Sequence, residues 1–171
     1  MSTLEAEQLV WLPVPSRAPP PAPERGPGVI RFTVIGRPAP QGSKKFMGAG
    51  VMVESSIWVA PWRVDVKHVA LRIVPAGWDL SHPMELRVGF RFKRPAGHYG
   101  KRGLKPSAPL HLTSRLNGDL SKLVRSTEDS LTGVLYNDDS QIVSMVATKR
   151  YCLEGEAQGA VIELVDVCGP A

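Results

Sequence analysis

The stretch Asn117 to Gly133, followed at once by Val134 to Ile142, constrains this chain more than any other. Leu120, Leu123, Val124, Thr127 and Leu131 fall at helical spacing and form one apolar stripe. Ser121, Lys122, Arg125, Glu128 and Asp129 occupy the opposite face. Asp119 stands where a side-chain oxygen can accept from the free N–H groups of a first helical turn. Gly133 stands where a helix stops and the chain turns. The acid pair Asp138–Asp139 then opens a strand-like run from Gln141 to Arg150. A short amphipathic helix feeding a strand requires a sheet to pack on. If helix and strand lie side by side, Asp119, Asp138 and Asp139 are expected to converge on one face, near enough to share a metal ion.

The rest of the chain supplies that sheet. Residues 1–27 carry Pro13, Pro15, Pro19, Pro20, Pro21, Pro23 and Pro27 and are expected to form a flexible arm, with the folded domain over 28–168. Val29 to Ile35 is β-branched and reads as a strand. A loop from Gly36 to Lys45 follows; its Arg37, Lys44 and Lys45 either contact phosphate or are simply solvated. A short strand is expected at Val51–Val53. From about residue 55 to 74 the period changes to that of a helix, with Pro61 in its first turn and Trp62 on the apolar stripe, hence a core anchor rather than a base-stacking group. Met84 to Lys93 alternates as a half-buried strand, and Ala160 to Val167 reads as the last one. The fold class is α/β or α+β: a small mixed β-sheet with two main helices packed on it.

Between Arg94 and Gly118 lies a long glycine- and proline-rich stretch with Arg94, His98, Lys101, Arg102, Lys105, His111 and Arg115 and not one acid. A loop of this length in a compact domain is functional or disordered. Its charge suits a phosphate backbone, as does the formal net charge of +5 with a pI near 9.5. No apolar run approaches a membrane span, so no membrane partner is expected. Glu5 and Glu7 with no basic start argue against a secretory signal. Cys152 and Cys168 lack zinc spacing and read as reduced cysteines of an intracellular protein.

Each acid has a plain reading: Asp119 as a helix cap, Asp138–Asp139 as turn residues, Arg125 and Asp129 as an i,i+4 surface pair. Together they fit a magnesium site. That ion takes hard oxygen ligands, usually one or two carboxylates plus substrate phosphate. Arg125 on the same helix can offset charge that builds on phosphorus oxygens.

The stretch Asp119 to Lys149 resembles the RusA family of Holliday junction resolvases, often carried by phages and prophages. In that family a helix begins Asp-x-Asp-(Asn/Lys)-Leu-x-(Lys/Arg), runs to Asp-x-Leu-Thr, and is followed by Asp-Asp-(Ser/Ala)-Gln-(Val/Ile) and a strand ending in lysine. This chain has Asp119-Leu-Ser121-Lys122-Leu123-Val-Arg125, then Asp129-Ser-Leu131-Thr132, Asp138-Asp139-Ser140-Gln141-Ile142 and Lys149. The resemblance implies magnesium-dependent cleavage of four-way DNA junctions by a cytoplasmic homodimer. It implies catalytic roles for Asp119, Ser121, Arg125 and Asp139, and metal ligation by Asp119, Asp138 and Asp139. Lys44, Lys45, Arg94, Lys101, Arg102, Lys105, Arg115, Lys122 and Lys149 are the expected DNA contacts. One position departs: Ser121 stands where the family has its second helix acid, so either Asp138 or water completes the metal shell or the chain mainly binds junctions.

Overall fold

The computed structural model describes residues 28–42, 44–46, 52–54, 56–114 and 117–168. The expected proline-rich arm and Arg115 lie outside them. Among the described residues there are eight strands, β1 (Val29–Ile35), β2 (Lys44–Phe46), β3 (Met52–Glu54), β4 (Met84–Phe92), β5 (Tyr99–Gly100), β6 (Gly103–Leu104), β7 (Ile142–Tyr151) and β8 (Gly159–Asp166). The α-helices among these residues are α1 (Val59–Ile73) and α2 (Leu120–Leu131).

Four strands form the main sheet in the order β1-β8-β4-β7. The β1–β8 and β8–β4 pairs are antiparallel, and β4–β7 is parallel. Alternation builds one apolar face: Ile30, Phe32 and Val34 of β1, Leu86, Val88 and Phe90 of β4, and Ala160, Ile162 and Leu164 of β8 are all buried. Trp62, Val66 and Ala70 of α1 and Leu123, Val124 and Leu131 of α2 close over it. The mixed α+β architecture is the one the sequence implies. Helix α1 starts at Val59, later than its apolar pattern does, and Pro61 sits in its first turn. Trp62 is 1 % exposed, lies 6.5 Å from the Phe90 ring, and donates its indole N–H to Thr127 Oγ1 at 3.1 Å. It is a core anchor that joins the two helices.

Parallel neighbours cannot be joined by a hairpin, so the chain between β4 and β7 must cross over, and α2 is that crossover. It therefore runs back along the sheet, antiparallel to both strands. The long basic stretch before it is more ordered than its composition implies. It holds a 3-10 turn at Ala96–His98 and the small β5–β6 hairpin, with Lys101 and Arg102 exposed at the tip.

Candidate active site

Asp119 takes the N-cap position of α2 with extended backbone, φ −74 and ψ 147, yet its carboxylate makes no capping hydrogen bond. It is 68 % exposed and lies 3.8 Å from Lys122 Nζ. A cap residue that does not cap has its oxygens available for another partner. The backbone around it is tightly held. Gly118 has φ +80, and a Cβ there would meet the Pro40 ring at 2.3 Å. Gln41 N donates to Lys122 O at 3.0 Å, and Lys149 Nζ donates to Gly118 O at 2.8 Å. An open cleft of about 390 Å³ results, lined by Pro40, Gln41, Gly42, Ser56, Gly118, Asp119 and Lys122.

Asp139 stands in a 3-10 turn that opens β7. Its neighbour Asp138 caps this turn: Oδ1 accepts from Ser140 N at 2.9 Å, and hydrogen bonding to the Ser140 side chain first, then to its backbone, holds the Asp138 carboxyl below its usual range. Gln141 fastens the turn from both sides of its amide. Oε1 accepts from Asn137 N and Asp138 N, each at 2.9 Å, while Nε2 donates to Leu80 O at 2.8 Å and His82 O at 2.7 Å. His82 secures those carbonyls in turn, with Nδ1 2.7 Å from Asp166 and Nε2 3.2 Å from Asp79. The Asp166 hydrogen bond raises its pKa. Asp139 itself is exposed.

The charge of Asp139 bears on the last turns of α2. Glu128 is half-buried, and burial first, then Asp139 and Asp129, push its carboxyl above the usual range. Tyr136 is fully buried and donates its hydroxyl to Glu128 O at 3.0 Å; burial pushes that phenol up, so it stays neutral. Ser121, Arg125 and Glu128 are four and three residues apart and share one face of the helix.

The acids do not gather as their spacing implied. Among the described residues no three His, Cys, Asp or Glu side chains could together hold a metal. The crossover explains this. Lys149 ties the far part of β7 to Gly118, whereas Asp139 precedes Ile142 at the near end. The intervening strand spans about 23 Å at ~3.3 Å per residue. Asp119 and Asp139 thus stand toward opposite ends of α2. The donor chemistry still fits magnesium, which needs only one or two carboxylates beside substrate phosphate.

Several expected DNA contacts have other work. Arg94 is buried, donates from Nε to Cys152 O and from Nη1 to Pro109 O, each at 2.8 Å, and lies over the Tyr151 ring. It staples the basic loop to β7 and cannot reach a phosphate. Lys149 braces α2, as described. Lys105 donates to Gly97 O at 2.8 Å but remains exposed. Asp129 pairs with Arg63 of α1, not with Arg125. Lys101, Arg102, Lys122 and Arg125 are exposed, and Lys44 and Lys45 lie on β2. Sequence reasoning missed Gln141 as a brace, although an Asp-x-x-Gln capping box was its visible signal.

A small α+β domain with exposed acids toward the two ends of a crossover helix, and exposed cations beside them, is the class that fold and site define. The model of the endodeoxyribonuclease RusA family matches residues 36–164, and the chain belongs to that family. A comparison with curated proteins finds no significant match. The family is one of divalent-metal-dependent nucleases acting on junction DNA. No helix among the described residues is long and apolar enough to cross a membrane.

Proposed function

We propose that this chain resolves four-way DNA junctions as a magnesium-dependent endonuclease and acts as a homodimer in the cytoplasm of a bacterial or phage-infected cell. The family match across residues 36–164 carries this reading. The rigidly presented Asp139 supports it. Magnesium, when bound, polarises a phosphoryl oxygen and lowers the pKa of a bound water. Asp139 is the acid we assign to it, with Asp138 holding the turn that presents Asp139; Asp119, at the other end of α2, is too far along the helix to share that ion. Arg125 offsets charge on the scissile phosphate. Lys101, Arg102 and Lys122, with Lys44, Lys45 and Arg115, track the backbone. A four-way junction has approximate two-fold symmetry, which an isologous dimer matches. The edge strand β7 exposes Val143, Met145 and Val146, an apolar surface suited to a second protomer.

The second reading, a junction-binding protein impaired in catalysis, draws on one observation: the exposed residue Ser121 is neutral where the family has an acid. A cleavage assay decides between them. The nuclease cuts a four-way junction in magnesium, not in chelator, and leaves a linear duplex intact. Binding without cutting in magnesium selects the second reading.

Junction affinity is expected to fall steeply with salt. Lys101→Ala with Arg102→Ala should flatten the log–log slope by up to about two units, one for each lost phosphate contact. An unchanged slope removes the hairpin tip from the DNA path.

A further inference from the structure

A cavity of about 630 Å³ lies between the β5–β6 hairpin and the turn that joins β7 to β8. Tyr99 and Leu104 line one wall; they are directly opposed across the hairpin and so project from the same side of it. Leu153 lines the other wall, from the turn. The three are 50, 47 and 45 % exposed. Scattered singly, such residues need no explanation, but here three share one groove. Polar bonds, not these side chains, hold the walls in place. Arg94 ties the loop to the Cys152 carbonyl, Lys105 N donates to His98 O at 2.9 Å, and Leu153 N donates to Glu156 Oε2 at 2.7 Å. The groove is therefore preformed. It is also basic. Lys93 and Arg102 line it and make no ion pair among the described residues. Of its two acids, Glu156 is taken up by both Nη atoms of Arg150, which leaves Glu154.

We propose that this groove holds an unpaired nucleotide of the DNA substrate, with its base stacked on Tyr99 between Leu104 and Leu153 and its phosphates against Lys93 and Arg102. An aromatic ring flanked by cations is what a single strand requires, because every base has a face to stack and every phosphate a charge to meet. Paired bases inside a duplex present only their edges, so the groove selects DNA whose strands part, as they do at a branch. An apolar peptide would fill the walls but would leave the cations without a purpose. The inference rests on the reading that the chain acts on branched DNA. Strands β4 and β7 both end at this groove, with Phe92 opposite Tyr151, whereas Asp139 precedes the start of β7. The ten residues of β7 span about 33 Å at ~3.3 Å each. That is roughly ten base pairs at ~3.4 Å per step. The base held here is thus remote from the phosphate that Asp139 serves, and the groove recognises the substrate rather than cutting it.

The test measures binding of the full chain, in chelator and over a range of salt, to a four-way junction, a linear duplex and a duplex with a short single-stranded gap. Tyr99→Ala should weaken binding to the junction and the gapped duplex at least about five-fold, the loss of one stacked base. It should leave the linear duplex unaffected. The slope of log affinity against log salt should not change, because no phosphate contact is lost. Tyr99→Phe, which keeps the ring, should bind like the unmodified chain. Leu153→Ser leaves the hairpin untouched and should weaken the same two ligands to a smaller degree. An equal loss on the linear duplex, or a flattened slope, would mean that Tyr99→Ala merely misplaces the Lys101–Arg102 tip, and overturns the inference. Unchanged binding by both Tyr99→Ala and Leu153→Ser overturns it too. Junction cutting by the unmodified chain in magnesium then leaves the nuclease reading standing. If light scattering shows that those variants dissociate a dimer instead, the groove seats a second protomer. An unmodified chain that neither prefers junctions to duplex nor cuts them removes the nuclease reading and the inference with it.

Discussion

Asp139→Asn is expected to abolish junction cleavage while leaving junction binding intact or tighter. An ion ligand at a phosphoryl-transfer centre supports several kcal/mol of charge stabilisation in the transition state. At about 1.36 kcal/mol per factor of ten, its loss should slow cleavage at least about a thousand-fold. Binding should not suffer, because a carboxylate facing phosphate repels it until a cation intervenes. The fold should not suffer either: Asp139 is exposed, and its turn is fastened by Asp138 and Gln141. Single-turnover cleavage in magnesium, beside a binding isotherm in chelator, separates the two effects. A folded Asp139→Asn protein that loses binding together with cleavage would show that the residue shapes the DNA surface instead.

The parts of this fold written in period and punctuation were legible from the residues. Strand β4 alternates cleanly because one of its faces is buried, and Trp62 lies on the apolar stripe of α1 because that stripe meets the sheet. The β5–β6 hairpin was not legible, since Gly100 and Gly103 read equally well as loop residues and its strands are two residues long. Arg94 was misread for a general reason. A guanidinium in a basic run looks like a solvated charge, and only the fold brings the Cys152 and Pro109 carbonyls to it. The supposed convergence of acids failed through topology. Residues at the two ends of a crossover helix are close in sequence, but the helix runs antiparallel to the next strand and carries them apart.

Gln141→Glu is expected to destabilise the chain by about 3 kcal/mol at neutral pH, the scale of a buried polar contact turned into an unmatched charge. The carboxylate keeps the two bonds that Oε1 accepts from Asn137 N and Asp138 N. It has no proton to give to Leu80 O and His82 O, which then face a negative oxygen at hydrogen-bond distance. Gln141→Ala loses all four bonds but introduces no charge, so it provides the reference. The two variants should separate with pH. Two carbonyls facing it raise the folded-state pKa of a glutamate at 141 above its unfolded value of about 4.3. A group so raised contributes stability that is fully present below the unfolded pKa and is lost as pH rises through the folded one. Acidification through that window should therefore let Gln141→Glu regain stability relative to Gln141→Ala, because the protonated acid can donate one bond again. Denaturant melts of both variants and the unmodified chain, at neutral pH and near pH 4, measure this. A gap between the variants that does not move with pH would mean that the 137–141 turn has pulled away from the 79–83 loop. In that case Gln141 would no longer link the presentation of Asp139 to the sheet.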